Sequence, residues 1–228
     1  MDLPKIDNTN LWDKTYALLK ESIVRRHFGP NHKLSIPELS RQLGVSRTPV
    51  RDALNRLEME GLVKTVSKVG TFVVAVTAED VLDYMDTRLM LEYWVVDRLP
   101  EVSRPLLQRK LDNMEAILEQ SAEIFTDGGR DDYLKADYNL RFHIEFMELG
   151  QNKYNIEIYL QTMRYRFITM KSSIVSDEMV GAAQTQHRQI LDALRGGQTD
   201  DLKRVIRLHL DDSKERLLKV IQENGGVI

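Results

Sequence analysis

The chain has 228 residues, 42% hydrophobic and 29% charged, so a packed core is within reach and general disorder is excluded. It holds no cysteine, which excludes disulfides, thiolate catalysis and cysteine-based zinc sites. A net charge of −3 conceals an asymmetry: residues 1–76 carry 12 Lys+Arg against 8 Asp+Glu, and the remainder carries 20 against 27.

Chance scatter of solvated charge gives such a split, and so do two modules with different partners, the first suited to a polyanion. No apolar run approaches the roughly 18 residues of a membrane span. The opening MDLPKIDNTN carries acids and lacks the apolar stretch of a secretory signal, so a cytoplasmic location is expected.

From Leu11 to His27, Trp12, Tyr16, Leu18, Leu19, Ile23 and Val24 recur at helical spacing, with Gly29 and Pro30 as the stop. Pro37 suits the first turn of a second helix, capped by Ser35 or Ile36 and running from Glu38 to Leu43. Gly44 follows as its left-handed terminator. Ser46 is placed to cap a third helix, Arg47–Glu60, whose Val50, Ala53, Leu54 and Leu57 share one face. Two short alternating runs, Leu62–Val66 and Thr71–Val76, are joined by Ser67-Lys68-Val69-Gly70 and predict a β-hairpin.

Thr77-Ala78-Glu79-Asp80 has the pattern of a capping box and opens a long helical stretch to Leu99. Helical periodicity then dominates. Breaks are expected at Pro100–Pro105, Asp127–Gly129, Gly150–Asn152, Ser172–Asp177 and Gly196–Thr199, giving about six helices. Asn224–Ile228 is expected to fray. The predicted fold is mainly α. Three helices and a hairpin occupy residues 1–76, and an all-α antiparallel bundle occupies 77–228.

The helix–Gly–helix unit at 38–60 has helix-turn-helix geometry. The start of the second helix in such a unit enters the major groove. Arg47 and Arg51 share a face there and could bond a guanine or clamp a phosphate. Ser46 and Thr48 add hydroxyls, and the helix-start N–H groups favour an anion. Lys68, Gly70 and Lys64 on the hairpin would lie near the backbone as a wing. The competing reading makes Arg47 and Arg51 an ordinary solvated face.

The run Pro37-Glu38-Leu39, Gly44-Val45-Ser46-Arg47-Thr48-Pro49-Val50-Arg51-Asp52-Ala53-Leu54, Glu60-Gly61-Leu62-Val63 and Gly70-Thr71-Phe72-Val73 resembles the GntR family of bacterial transcription regulators. The resemblance implies a winged helix-turn-helix in which Arg47, Thr48, Arg51 and the wing-tip Gly70 approach double-stranded DNA. Pro37 departs from the basic or polar residue common at that position.

Three of the five histidines, His143, His187 and His209, fall on predicted helices of the acidic part, and Asn139 lies one turn before His143. Three imidazoles and one oxygen donor suit zinc, nickel or another divalent ion, while a lone helical histidine is more often structural or exposed than a ligand. The second part resembles the FCD effector domain of the FadR subgroup. Arg88-Leu89-Met90-Leu91-Glu92, Asn139-Leu140-Arg141-Phe142-His143, His187-Arg188-Gln189-Ile190 and His209 carry the likeness. Many members hold a divalent metal through one Asp and three His, so the resemblance implies the set Asn139, His143, His187 and His209, with Asn139 in the Asp position. It also implies a small carboxylate effector near Arg88, a residue that equally makes an i,i+4 pair with Glu92. Tyr84, Arg164 and Arg166 are further pocket candidates.

The function expected is a homodimeric, ligand-responsive repressor acting on a pseudo-palindromic operator, with no membrane partner. Two alternatives are a metal-dependent hydrolase built on the histidines and a regulator with a metal-free pocket. No HExxH pair, phosphate loop or Ser/His/Asp order supports an enzyme.

Overall fold

A computed structural model describes residues 9–163 and 174–228. They form two compact units. One ends at Val76 and also takes in Val227–Ile228; the other runs from Thr77 to Gly226.

In the first unit, α1 (Thr9–Val24), α2 (Ile36–Leu43) and α3 (Arg47–Met59) accompany β1 (Lys33–Leu34), β2 (Val63–Val66) and β3 (Gly70–Val73). The apolar face predicted for α3 is the anchor of the core: Val50, Ala53 and Leu57 are fully buried, with Leu54 close behind. Removing each larger side chain of this kind from water is worth about 1.5–3 kcal/mol, which holds α3 down and turns its other face outward. α1 packs across α3, and the Arg56 guanidinium sits 4.1 Å from the Tyr16 ring centroid. Gly44 adopts φ 65°, and its N–H closes α2 onto Arg41 and Ser40, as its place in the sequence requires.

Three details of this unit differ from what local signals suggest. α1 stops at Val24 rather than His27, because Arg26 takes a left-handed φ of 59° and its N–H turns back to Ile23. Ser46 occupies the N-cap of α3, but its side chain makes no capping bond. The sheet has three antiparallel strands in the order β1-β3-β2, where only the hairpin was predicted. Two residues suffice for β1: Lys33 pairs with Phe72 and Leu34 with Thr71. Such a pairing is set by the distant partner, not by the strand's own composition.

The tail is also not frayed. Gly225 and Gly226 turn the chain with φ 80° and 98°, values that a residue with a Cβ resists. Ile228 then pairs with Val76 through two backbone hydrogen bonds of 2.7 and 3.0 Å and is fully buried. Beyond the end of β3 the Val76 N–H and C=O need partners, and the tail supplies them.

The second unit begins with α4 (Ala78–Arg98), opened by the predicted capping box: Asp80 N–H donates to Thr77 Oγ1, and Thr77 N–H donates to Asp80. A short 3₁₀ turn (Leu99–Glu101) leads to α5 (Arg104–Ala136), α6 (Tyr138–Glu148), α7 (Lys153–Thr162), α8 (Asp177–Gly196) and α9 (Thr199–Glu223). α4 packs on α9, α8 on α9, and α5 on both α6 and α8. The break expected at Asp127–Gly129 is only a kink, where Gly129 leaves helical geometry (φ 74°, ψ −172°) and the helix resumes. The true break is Asp137, left-handed at φ 48°, whose carboxylate accepts from Leu140 N–H and starts α6. Of the break expected at Ser172–Asp177, Ser172 and Ser173 lie outside the described residues.

Candidate functional site

Two groups of side chains stand out, one in each unit. In the first, Ser46, Arg47, Thr48 and Arg51 line the exposed start of α3. Pro49 and Val50 between them are buried and pin that turn to the core. Because Ser46 makes no side-chain cap, the first N–H groups of α3 remain as donors toward whatever approaches the helix start.

Three other arginines of the unit are paired internally: Arg25 to Glu21 at 2.7 Å, Arg41 to Glu38 at 2.5 Å and Arg56 to Asp13 at 2.8 Å. Among the described residues, Arg47 and Arg51 take part in no ion pair. The hairpin is tied to α3 by Glu58, which accepts from Thr65 N–H at 2.7 Å and from the Thr65 hydroxyl at 3.0 Å. Its tip carries exposed Lys68 at φ 61° and Gly70 at φ 143°. The φ of 143° at Gly70 is what favours glycine there, since a Cβ would meet only the flexible end of the Lys33 side chain. Pro37 is exposed in the first turn of α2 and has no donor to offer.

In the second unit, α6, α8 and α9 bring His143, His187 and His209 together, each at most 2% exposed. One nitrogen from each lies within 4.8 Å of the others. The Nε2 atoms of His143 and His209 are 3.2 Å apart. The His187 ring stacks on Phe142 with centroids 4.5 Å apart, which sets its plane. His209 Nδ1 meets the Gln186 side-chain oxygen at 2.9 Å. Asn139 is half-buried in the first turn of α6, one turn before His143.

Beside the histidines lies a second buried polar group. Arg88 is 3% exposed and bonds Glu92 Oε1 at 3.0 Å, so the i,i+4 pair is real and interior. The same Arg88 Nη2 lies 3.2 Å from His143 Nε2, so Arg88 also borders the histidine cluster. The Tyr159 hydroxyl donates to Glu92 Oε1 at 2.8 Å, and His143 Nδ1 lies 3.6 Å from that oxygen. Burial, with the Glu92 charge adding to it, pushes the Tyr159 hydroxyl well above the usual tyrosine range of 10.0, so it stays a donor. Glu92 Oε2 is buried and has no hydrogen-bond partner among the described residues.

Sequence reasoning found the three histidines and Arg88 but missed Tyr159 and Gln186, and took Glu92 only as an ion-pair partner. Gln186 adjoins His187 in sequence, yet the imidazole it meets is on another helix, so no spacing rule reveals it. Tyr84 is half-buried on α4, and Arg164 and Arg166 lie outside the described residues.

Residues 11–73 match the bacterial regulatory proteins of the gntR family, and residues 83–212 match the FCD domain. The chain belongs to the GntR family. Its second unit is of the FCD type. The Nta operon transcriptional regulator of Aminobacter aminovorans is 30% identical over 87% of this chain and 90% of that protein. The transcriptional repressor GlaR of Escherichia coli is 25% identical over 86% and 90%.

A GntR regulator from Rhodococcus has the same fold, with a TM-score of 0.67 at 21% identity over 92% of this chain and 98% of that one. A second solved structure, titled for Lar control of the Listeria monocytogenes agr system, matches with a TM-score of 0.70 at 20% identity over 93% and 98%. The GntR protein described here is therefore a DNA-binding transcription regulator and not an enzyme, which removes the hydrolase alternative. None of its described helices is long and apolar enough to cross a membrane.

Proposed function

We propose that this GntR protein is a cytoplasmic, metabolite-responsive repressor, in which His143, His187 and His209, with Asn139, hold a divalent cation that helps bind a small carboxylate. The observation that carries the metal reading is the 3.2 Å separation of His143 Nε2 and His209 Nε2, with His187 at the same focus. Two imidazoles on one tetrahedral zinc, with bonds of about 2.0–2.1 Å, have nitrogens about 3.3 Å apart. The donor set of nitrogens with one amide oxygen suits zinc or nickel.

When bound, the cation would supply a positive, Lewis-acidic anchor for a carboxylate oxygen. Arg88, at the edge of the cluster, is the chain's own cation for the same anion. Replacing the usual Asp by Asn139 removes one negative charge from the ligand set, so affinity should fall below that of a site with three His and one Asp.

On the DNA side, Arg47 and Arg51 would contact bases or phosphates from the first turns of α3, with Ser46 and Thr48 beside them. Lys68 and the Gly70 backbone would follow the adjacent strand. Two copies related by a two-fold axis would read a pseudo-palindromic operator. Effector binding would shift the helices bearing His143 and His187, and α4, which follows directly on Val76, would carry the shift to the DNA-reading faces.

The test is elemental analysis of purified protein after dialysis against metal-free buffer, wild type beside His143→Ala. About one divalent ion per chain, lost in the variant, is expected. No uptake by the wild type, even with added zinc or nickel, overturns the metal reading and leaves a pocket that uses Arg88 and hydrogen bonds alone.

A further inference from the structure

We infer that Gln186 and Asp212 are positioning residues that fix which nitrogen of His209 carries the proton, so that its Nε2 lone pair faces His143. The inference rests on the metal reading above for its purpose, but not for its geometry.

The chain of bonds starts at Arg216. Its guanidinium pairs with Asp212 Oδ2 one turn away on α9, and its Nη1 donates to the Met179 carbonyl of α8 at 3.4 Å. Asp212 Oδ2 also accepts from the Gln186 side chain at 2.6 Å. An ionised carboxylate can only accept, so Gln186 must turn its NH₂ toward Asp212. Its carbonyl oxygen then faces His209 Nδ1 at 2.9 Å, and that oxygen can only accept. In a neutral imidazole the proton therefore sits on Nδ1, and Nε2 becomes the acceptor.

Nε2 is the atom directed at His143 Nε2. His143 Nε2 is in turn beside Arg88 Nη2, which can only donate, so it too is unprotonated, its lone pair accepting from Arg88. Two unprotonated nitrogens 3.2 Å apart cannot hydrogen-bond to each other, and the Arg88 guanidinium is a positive group already beside them. Asp212 thus acts at a distance: it orients an amide, the amide selects a tautomer, and the tautomer aims a donor atom. Orientation of metal-binding histidines through their second nitrogen is a general device, and loss of the partner typically costs 10–100-fold in metal affinity.

A purely structural crosslink between α8 and α9 would use the same bonds, so the test must read the tautomer directly. ¹⁵N shifts of the ring nitrogens in histidine-labelled, metal-free protein separate a protonated from a lone-pair nitrogen. Wild-type His209 is expected in the Nδ1–H form. Gln186→Met, close in shape but with only a weakly accepting thioether, should lose that preference and bind zinc about 10–100-fold more weakly in competition with a chromophoric chelator. Asp212→Leu should shift both readouts in the same direction by less, because Gln186 remains but is free to rotate.

Gln186→Glu combined with Asp212→Asn keeps an acceptor for Nδ1–H and supplies an amide donor at 212 to hold it, so the pair should restore both. A wild-type His209 protonated on Nε2 overturns the inference. So does a Gln186→Met protein with unchanged tautomer, or a failure of the paired Gln186→Glu and Asp212→Asn substitutions to restore what Gln186→Met lost. Loss of the Nδ1–H form in Gln186→Met, with zinc bound by neither protein, supports the positioning role and overturns the metal reading instead.

Discussion

Arg47 and Arg51 of the first unit are exposed and make no ion pair among the described residues, whereas Arg88 of the second is buried and held by Glu92 at 3.0 Å. The exposed pair costs the fold little, because water solvates it. The buried cation must be compensated inside the protein, and Glu92 does this with the help of the Tyr159 hydroxyl. The difference teaches where each unit can change its charge state. The first carries its charge outward, open to a large anion, and the second keeps a compact set of charges and imidazoles in balance within its own core.

Substitutions at the two kinds of arginine should separate this contrast. The largest expected effect is Arg88→Ala, which strands the Glu92 carboxylate in the interior and should lower the stability of the second unit by about 3–5 kcal/mol, read as a shift in the denaturant midpoint. A loss within about 0.5 kcal/mol, the range of ordinary surface changes, would mean that Glu92 is compensated by something other than Arg88.

Next comes Arg51→Ala. It should weaken specific operator binding by about 1–3 kcal/mol if the side chain reads a base, while stability stays within about 0.5 kcal/mol. Gel-shift titration at fixed salt, beside a melting curve, reads both. Unchanged binding by a folded variant would return Arg51 to the ordinary solvated surface.

The smallest effect concerns Glu115, which joins α5 to α8 through Arg188 and through Arg195 at 2.5 Å. Hydrogen bonds from Arg188, then Arg195, hold its carboxyl below the usual value of 4.5. A lowered carboxyl contributes stability that is present above the unfolded value and lost as pH falls through the folded one. Glu115→Gln should therefore cost under about 1 kcal/mol at pH 7, with the gap to wild type closing below pH 4.5. A gap that stays constant with pH would show that packing of the side chain, not its charge, is what matters.

Much of this was legible in local sequence because the signals are themselves local. Gly44 ends α2 since its backbone angle suits glycine, and Thr77 and Asp80 cap each other three residues apart. The buried face of α3 follows from helical spacing alone. Other features had no local signal. Asp127–Gly129 reads as a break, but packing of α5 against α6 and α8 carries the helix through a kink at Gly129. Glu92 reads only as an i,i+4 partner of Arg88 until Tyr159, 67 positions away, is seen to donate to the same carboxylate oxygen.

By itself, then, the sequence determined the helix-turn-helix with its hairpin, the outward arginines, and the helices that carry the three histidines. These depend on periodicity and on residues a few positions apart, where chain geometry leaves little choice. Tertiary structure alone decided that Ile228 would seal the edge at Val76, that two residues would suffice for β1, and that Gln186 would face His209 rather than its neighbour His187. Each of those is a choice among distant partners, and only the packed chain brings the chosen one within hydrogen-bonding reach.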